Sequence, residues 1–414
     1  MLTIYNLFIF LFRIGISVAA WRSEKAAAWI RGRKGLFEEL DTAISGNRSI
    51  IWVHAASAGE LEQGKPVIEA LKEQYPYHRV LVTFFSPSGF SAGKKYAAAD
   101  HVFYLPLDTR KNAAAFLSIV RPALVVFIKY DFWYHHLKAV HDRGIPLLLI
   151  SSIFREKQLF FSPFGGFYRN ILKLFTWLFV QDEHSMSLLH SIGIRHCSVA
   201  GDTRFDRVAA IREKAEEVAS IGPFVAGAQV IVAGSTWPED EQLLAHLAKG
   251  LKREYKLIIA PHEITTVHIR QLQALFPEAV LHSNLTTGSS SNVLIIDNVG
   301  MLSRLYQYAQ LTYIGGGFNK SGIHNTLEAA VWGKPVIVGP NYQKFKEARE
   351  LIEAGGAFSI STSEALLKTA SHLLEDVTAL QKAGAAAGSY VQNQRGATES
   401  ILHYIAANRL LTTP

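Results

Sequence analysis

Cysteine is almost absent from this chain. Cys197 is the only one in 414 residues, which excludes an intramolecular disulfide framework and a zinc site built from cysteines. Fixed-period repeats and low-complexity tracts are also lacking. Charged residues make up only 19% of the chain against 49% hydrophobic residues, a balance that excludes intrinsic disorder, collagen and coiled coil. The length predicts two or three domains, and a reducing cytoplasm is the simplest location.

The chain also lacks the patterns of a metal or nucleic-acid binder. Its 16 histidines include no His-Glu-x-x-His pattern, so we expect neither a metal site nor a cofactor. The formal net charge of +7 at pH 7 favours an anionic partner, such as a nucleotide, phosphate or phospholipid. Basic residues are spread along the chain without RNP-like aromatic motifs, and we therefore expect no nucleic-acid partner.

Long apolar runs are scarce, and the first one is N-terminal. Residues 2–20 carry Arg13 as their only charge and are just long enough to span a bilayer. Three interpretations remain open: a signal-anchor or half-inserted interfacial helix, which we favour, a cleaved signal peptide, or a buried helix. By the positive-inside rule, the basic residues that follow would keep the body of the protein cytoplasmic. These residues are Arg22, Lys25, Arg31, Arg33 and Lys34.

A second stretch, residues 159–180, is rich in aromatic side chains, with Arg169 and Lys173 one helical turn apart. That composition is typical of a membrane interface. An ordinary core helix explains the same residues equally well, and both interpretations stay open.

Short apolar strands alternate with helical patterns between residues 50 and 201, and the alternation restarts between 207 and 340. Continuous apolar strands between helices predict a parallel sheet covered on both faces. The expected fold is α/β, with two Rossmann-like doubly wound domains facing a cleft. Strand carboxyl ends should point toward that cleft. One long last helix, 376–409, is expected to cross back onto the N-terminal domain.

Four segments follow from this pattern. We expect a membrane anchor with its basic flank at 1–35 and a first Rossmann-like domain at 36–205. A second Rossmann-like domain at 206–395 and a C-terminal helix at 396–414 would complete the chain.

Residues Trp52–Glu60 are the first candidate site. A strand ends near His54, a loop of small residues follows, and Glu60 falls in the first turn of a helix. A carboxylate at the carboxyl end of a strand is a plausible general base. Glutamate is also favoured at any helix start, and local chemistry alone supports that interpretation more strongly.

Two further loops are candidate anion sites. At Ala233–Glu241 a strand runs into Ser235 and Thr236, which either help to bind a phosphate or cap the next helix. The stretch 313–340 contains Gly315, Gly316 and Gly317, then Gly322, with a helix expected to start near His324 and Asn325 and to carry Glu328. Strand, glycine loop and helix N-terminus favour an anion cradle, although an ordinary tight turn remains possible.

Together these blocks resemble the bacterial 3-deoxy-D-manno-octulosonic acid (Kdo) transferases, glycosyltransferases of the GT-B fold. The resemblance extends from the N-terminal apolar run to about residue 350 and rests on six ordered motifs. They are Trp-x-His-x-x-Ser-x-Gly-Glu at 52–60, Pro-Leu-Asp at 106–108, Gly-Asp-Thr-Arg-Phe-Asp at 201–206, Ala-Gly-Ser-Thr at 233–236, Ile-Ile-Asp-x-x-Gly at 295–300 and Ile-Gly-Gly-x-Phe…Gly-x-His-Asn-x-x-Glu at 314–328.

The resemblance implies transfer of Kdo from CMP-Kdo to the lipid A precursor at the cytoplasmic face of the inner membrane, with inversion and no cofactor. It implies that the 36–205 domain binds the acceptor, with Glu60 as the catalytic base and with Ser57 and Gly59 in contact with the acceptor. It also implies that the 206–395 domain binds CMP-Kdo through Ser235, Thr236, the loop of Gly315, Gly316, Gly317 and Gly322, His324, Asn325 and Glu328. Two blocks depart from the family pattern. Where the family has a Glu-x-Glu pair, this chain has Lys129 and Asp131. We assign Lys129 to acceptor binding and Asp131 to catalysis.

The second departure is at 260–263, where the Ala-Pro-Arg-His segment of the family reads Ala-Pro-His-Glu. We assign Pro261 and His262 of this segment to donor binding. The alternatives are another GT-B nucleotide-sugar enzyme, either a UDP-sugar transferase or an epimerase, and an inactive membrane-tethered binding protein.

Overall fold

The computed structural model describes residues 1–44, 46, 49–251, 255–286 and 288–411. The chain divides into two compact units. The first comprises Met1–Arg207 together with Arg395–Pro414, and the second comprises Val208–Gln394. Each unit is built around its own parallel sheet.

Within the described residues, the first unit has a seven-stranded parallel sheet in the order β3-β2-β1-β4-β5-β6-β7. All six residues of β1 are buried, as expected for a strand with helices on both faces. The strands are β1 Ile50–Ala55, β2 Arg79–Phe84, β3 His101–Tyr104, β4 Pro122–Ile128, β5 Leu147–Ser152, β6 Trp177–Val180 and β7 Cys197–Val199. The helices are α1 Leu2–Ala19, α2 Glu24–Arg31, α3 Leu36–Ala43, α4 Ala58–Gln74, α5 Pro87–Gly93, α6 Arg110–Val120, α7 Tyr134–Asp142, α8 Gly166–Leu172 and α9 Glu183–Ser191. Helix α10, Thr203–Glu213, begins in the first unit and ends in the second.

The second unit repeats this plan, with a seven-stranded parallel sheet in its described part in the order β10-β11-β9-β8-β12-β13-β14. Its strands are β8 Gln229–Thr236, β9 Tyr255–Pro261, β10 Val280–Leu281, β11 Val293–Ile295, β12 Leu311–Ile314, β13 Val336–Val338 and β14 Ala357–Ser359. Its helices are α11 Gly222–Val225, α12 Pro238–Gly250, α13 Thr266–Leu275, α14 Leu302–Leu305, α15 Leu327–Ala330, α16 Lys346–Glu353, α17 Ser363–Glu375 and α18 Val377–Asn393.

The expected single last helix is wrong, because the chain breaks between α18 and a separate helix, α19 (Ala397–Ala407). Gly396 precedes α19 with φ of 113°, a conformation that glycine adopts readily. The Asp206 carboxylate caps α19 by accepting the N–H groups of Gly396 at 2.8 Å and Thr398 at 2.7 Å. Ile401 on α19 is then buried in the core of the first unit.

Helix α1 lies along the surface of the first unit and presents only one side to it. The ring of Phe12 packs on Trp29 and Phe85 at centroid distances of 5.7 and 5.8 Å, and Ile9 is buried. The Tyr5 hydroxyl donates to the carboxylate of Asp108. Among the described residues, α1 alone is long and apolar enough to cross a membrane, with a mean hydropathy of 1.8 and 6% of its residues buried.

The aromatic stretch 159–180 is not one surface. It contains a 3₁₀ turn at Leu159–Phe161, helix α8 and strand β6. Phe175 is buried, and Trp177 stacks on Tyr404 of α19 with the centroids 4.9 Å apart, so the later part of the stretch is core. Phe164 is 86% exposed, which leaves only the beginning of the stretch as a surface feature.

Candidate functional site

The predicted residues of the first unit lie at one edge of its sheet. Ser57 is the N-cap of α4, immediately after β1, and Glu60 lies in the first turn of that helix. The Ser57 hydroxyl donates to the Glu60 carboxylate, and Glu60 is half-buried. Lys129 and Asp131 follow β4, which pairs directly with β1, so both groups belong to the same carboxyl edge. Gly59 is exposed in the first turn of α4, and a side chain there would meet no steric obstacle.

A buried hydrogen-bond chain holds Asp131. Its Oδ2 accepts from Nε2 of His54 at 2.9 Å and from Nε1 of Trp133 at 3.1 Å. Nδ1 of His54 lies 2.9 Å from Oγ1 of Thr83, and that same oxygen accepts the indole N–H of Trp52 at 2.8 Å. The Thr83 hydroxyl can therefore donate its proton to Nδ1 of His54. The proton of the His54 ring then lies on Nε2, which donates to Asp131.

This hydrogen-bond chain was not predicted from the sequence, although Trp52 and His54 belong to the first motif. Trp52, His54 and Thr83 are fully buried, and His54 is the register partner of Thr83 on β2. Trp52 and His54 are two positions apart and therefore share one face of β1. Polar side chains on adjacent buried strands were the available signal, but strand register is needed to pair them.

A second polar cluster connects α1 to the rest of the first unit. Asp108 accepts from Nδ1 of His136 at 2.5 Å, from the backbone N–H groups of His135 and His136 at 3.0 and 2.9 Å, and from Tyr5. Burial alone would raise the pKa of Asp108, but the hydrogen bonds from His136 and Tyr5 bring it below its usual value. The Pro-Leu-Asp motif at 106–108 thus provides the carboxylate that fixes the first helix.

In the second unit, the predicted donor residues gather at the carboxyl ends of three adjacent strands. Ser235 and Thr236 end β8, Pro261 ends β9, and the glycines follow β12; β8 lies between the other two strands. Ser235 has φ of 54°, a left-handed conformation that is uncommon for serine and concentrates at functional sites. The Thr236 hydroxyl faces inward, donating to Oε1 of Glu241 at 2.9 Å.

The glycine loop already holds a carboxylate of the protein itself. Asp240 is buried and accepts the backbone N–H of Gly316 at 2.8 Å, the hydroxyl of Tyr313 at 2.7 Å and the backbone N–H of Trp237 at 3.0 Å. Burial raises the pKa of Asp240, and these hydrogen bonds oppose the rise. The N–H of Gly316 therefore stabilises an internal anion, which the glycine spacing alone did not indicate.

Two of the glycines are required by close approach of backbones. A Cβ at Gly315 would lie 2.3 Å from the carbonyl oxygen of Ser235, and one at Gly317 would lie 2.5 Å from Cα of Gly339. The helix expected near His324 starts later, because α15 covers only Leu327–Ala330.

Asn325 explains this late start by accepting the N–H of Leu327 at 3.1 Å, a local turn that competes with helix. Its amide also donates to Glu328 at 3.1 Å. Gly322, with φ of 84°, donates its N–H to Oδ1 of Asn319 at 3.0 Å.

Three stacked rings occupy the same edge of the second sheet. His262 stacks on Trp237 and on His324, with centroid separations of 4.8 and 4.3 Å. The indole N–H of Trp237 donates to Nε2 of His324 at 3.0 Å, which places the imidazole proton on Nδ1. Burial, together with the neighbouring His262, lowers the pKa of His324 to about 4, so this ring is neutral at pH 7. Trp237 lies within the second candidate loop, but sequence reasoning gave it no role.

Metal binding gains no support from the geometry. The part of the chain that the structure describes contains no group of three His, Cys, Asp or Glu side chains placed to hold a metal ion.

Both units have the parallel doubly wound sheets of the GT-B fold. The crystal structure of UDP-GlcNAc 2-epimerase from Neisseria meningitidis bound to UDP-GlcNAc has the same fold, with a TM-score of 0.61 and 18% identity over 87% of this chain and 100% of that one. Residues 29–207 match the family model described as 3-deoxy-D-manno-octulosonic-acid transferase (kdotransferase).

Two relatives carry the same name, 3-deoxy-D-manno-octulosonic acid transferase. The Rickettsia felis protein is 28% identical over 84% of this chain and 76% of its own length. The Aquifex aeolicus protein is 25% identical over 84% of this chain and 93% of its own length. The resemblance of this chain to the Kdo transferases is therefore confirmed, at low identity and over most of its length.

Proposed function

We propose that the protein transfers Kdo from CMP-Kdo to the lipid A precursor, lipid IVA, during lipopolysaccharide assembly. The family model and the relatives support Kdo transfer. The observation that carries the chemical step is Glu60, a half-buried carboxylate beside Ser57 at the edge where β1 ends. An acceptor hydroxyl placed there can give its proton to Glu60 as it attacks the anomeric carbon of Kdo. The bond between that carbon and the CMP phosphate breaks in the same displacement, with inversion.

The proposed acceptor side continues from Glu60 along the same sheet edge. We place Asp131 beside this reaction centre, because it follows β4 at the same sheet edge and is held there by His54 and Trp133. Lys129, with φ of 66°, is a non-glycine residue in a left-handed conformation that follows β4. Such conformations cost about 1–3 kcal/mol and persist where the surrounding structure imposes them, which supports a binding role for this turn. Ser57 and Gly59 complete the proposed acceptor side.

The second unit would bind CMP-Kdo at the edge that carries the three stacked rings. The planar surface of His262 and His324 suits a pyrimidine base, and Glu328 suits the ribose hydroxyls. The other proposed donor contacts are Ser235, Thr236 through its backbone, Pro261, Gly315, Gly316, Gly317, Gly322 and Asn325.

Glu328→Gln tests this donor site. It keeps the shape of the side chain and should weaken CMP binding about tenfold in calorimetry, because it removes one charge-assisted hydrogen bond. Glu353→Gln, on α16, is the matched control. Equal CMP affinity in both variants would place the donor elsewhere.

The apolar outer face of α1 supports a location at the cytoplasmic face of the inner membrane. Because Tyr5 and Phe12 tie one side of α1 to the first unit, we propose that the helix lies in the membrane interface rather than crossing the bilayer. Arg22 and Lys25 follow the helix and would attract anionic headgroups. Arg33 contributes differently: its guanidinium lies 3.7 Å from the ring centroid of Trp29 and donates to three backbone carbonyls.

Glu60→Gln is the sharpest test of the chemical step. The variant preserves the side-chain shape but removes the proton acceptor, so kcat should fall about 10²–10⁴-fold while CMP affinity is kept. Glu62→Gln lies on the same helix in an exposed ion pair with Lys65 and should retain activity. If the Glu60 variant turned over at the wild-type rate, another group would have to be the base.

A further inference from the structure

A groove in the first unit has a volume of about 710 Å³ and walls that are mostly carbon. That volume falls within the range of about 300–1,000 Å³ that is typical of small-molecule sites. Three segments build it: the start of α1, the loop that follows β4, and the region of the 3₁₀ turn and α8. The lining residues are Met1, Ile4, Tyr5, Phe8, Tyr130, Asp131, Phe132, Trp133, Lys157, Gln158, Leu159, Phe160, Phe167 and Tyr168.

The walls are held in place by aromatic packing, so the groove is formed before anything binds. The ring of Phe132 meets that of Phe160 at 5.1 Å between centroids. On the other side, Tyr5 meets Phe167 at 5.6 Å, which fixes α1 against α8. Phe160 is itself buried in the core of the first unit.

Two polar groups of the groove wall already make hydrogen bonds within the protein. The Tyr5 hydroxyl donates to Asp108, and the indole N–H of Trp133 donates to Asp131. The surfaces that these two side chains can offer an occupant are therefore mainly ring faces and edges. A ligand for such walls needs carbon surface rather than hydrogen-bonding groups.

The groove is amphiphilic along its lining. Asp131, which we place beside the reaction centre, and Lys157 belong to it, so charged groups meet the apolar walls. Ile4 and Phe8 also line the groove, yet they are 63% and 57% exposed and belong to the outer apolar face of α1. The groove is thus continuous with the surface that we assign to the membrane.

We infer that this groove takes one acyl chain of the lipid acceptor and so holds its sugar headgroup near Asp131. The inference rests on the proposed function for the identity of the acceptor. A hydrocarbon chain matches the carbon walls, and the polar head of the same molecule matches the charged lining residues Asp131 and Lys157. The chain enters from the membrane along Ile4 and Phe8 and keeps the rest of the lipid in the bilayer.

Filling the groove tests the inference. Ile4→Trp places a larger ring in it, whereas Leu7→Trp makes a comparable change on the same helix at a side chain that is 54% exposed and outside the groove. The probe is 11-(dansylamino)undecanoic acid, titrated by fluorescence into the full chain in detergent-free buffer. Each buried methylene changes affinity about fourfold, so displacing two or more should weaken binding at least tenfold in Ile4→Trp. Leu7→Trp should stay within twofold of wild type.

A second variant keeps the inference testable if Ile4→Trp fails to fold. Leu159→Trp fills the groove from the opposite wall and should cause the same loss, with circular dichroism and melting temperature unchanged. All three variants should still bind liposomes of phosphatidylethanolamine and phosphatidylglycerol, because the outer face of α1 remains apolar. Equal probe affinity in Ile4→Trp, Leu159→Trp and Leu7→Trp would overturn the inference. So would a change of oligomeric state on sedimentation with probe binding unaltered, since the groove would then be a subunit interface.

Transfer assays separate this inference from the proposed function. With acceptors of decreasing acyl length, KM of the wild type should rise, whereas KM of Ile4→Trp should be high throughout and kcat should be preserved. A wild-type chain that transfers no Kdo would refute the proposed function, while the fluorescence titration would still decide whether the groove binds a hydrocarbon chain.

Discussion

Thr83→Val is the substitution whose effect the structure defines best. Valine has nearly the shape of threonine, so packing around β2 is kept while a single hydroxyl is removed. That hydroxyl accepts from Trp52 at 2.8 Å and lies 2.9 Å from Nδ1 of His54, and all three side chains are fully buried. One substitution therefore leaves two buried polar groups without partners.

Each such group costs about 1–3 kcal/mol, so for two groups the free energy of unfolding of the first unit should fall by about 2–6 kcal/mol. Urea denaturation followed by tryptophan fluorescence measures this loss. Thr83→Ser restores the hydroxyl and should recover most of the hydrogen-bonding loss, apart from the cost of the deleted methyl group.

Turnover provides a second measurement on the same variants. Without Thr83, His54 can place its proton on either nitrogen, and Asp131 loses a fixed donor. We expect kcat of Thr83→Val to fall while KM for CMP-Kdo is retained, because we propose that the donor site lies in the second unit. A Thr83→Val protein as stable as Thr83→Ser, with wild-type kcat, would refute the hydrogen-bond chain.

Two further predictions concern the helix cap and the ring stack. Asp206→Ala should lower the free energy of unfolding by about 1–2 kcal/mol and expose α19 to proteolysis, because it removes the helix cap. Asp142→Ala, on the surface, should have neither effect. If α19 resisted proteolysis in Asp206→Ala, the capping role would be contradicted. The pKa of His324 falls from 6.5 to about 4 on folding, so the unfolded chain binds more protons between these values. Stability should therefore decrease as pH is lowered from about 6.5 to about 4, and His324→Gln should reduce that slope in melting experiments.

The apolar runs of the sequence were sufficient to predict most of the sheet architecture. The run at 50–55 predicts β1 at the bounds that the structure shows, because five of its six residues are apolar and the sixth, His54, is hydrogen-bonded inside the unit. The last helix was predicted as one, from 376 to 409, whereas the structure breaks it at Gly396. Its break depends on the carboxylate of Asp206, which is 190 positions away in the chain, and no local pattern reveals such a partner.

The candidate site was predictable where a motif fills one loop and unpredictable where two strands or distant segments must meet. Glu60 at the start of α4 follows from local sequence. The hydrogen bond between the Gly316 N–H and the Asp240 carboxylate did not follow from local sequence. The glycine spacing is the same whether the loop binds a ligand or Asp240. The contact between Tyr5 and Asp108 joins residues 103 positions apart, so the apolar run that contains Tyr5 could not predict it.

The most direct test of the central claim is a transfer assay with the purified full chain, CMP-Kdo and lipid IVA in mixed micelles, with products read by mass spectrometry. The account predicts release of CMP and a lipid whose mass has increased by Kdo, with the product lost in Glu60→Gln and kept in Glu62→Gln. UDP-GlcNAc in place of CMP-Kdo should yield neither transfer nor epimerisation. Conversion of UDP-GlcNAc, or failure of the wild-type chain to modify lipid IVA, would contradict the account.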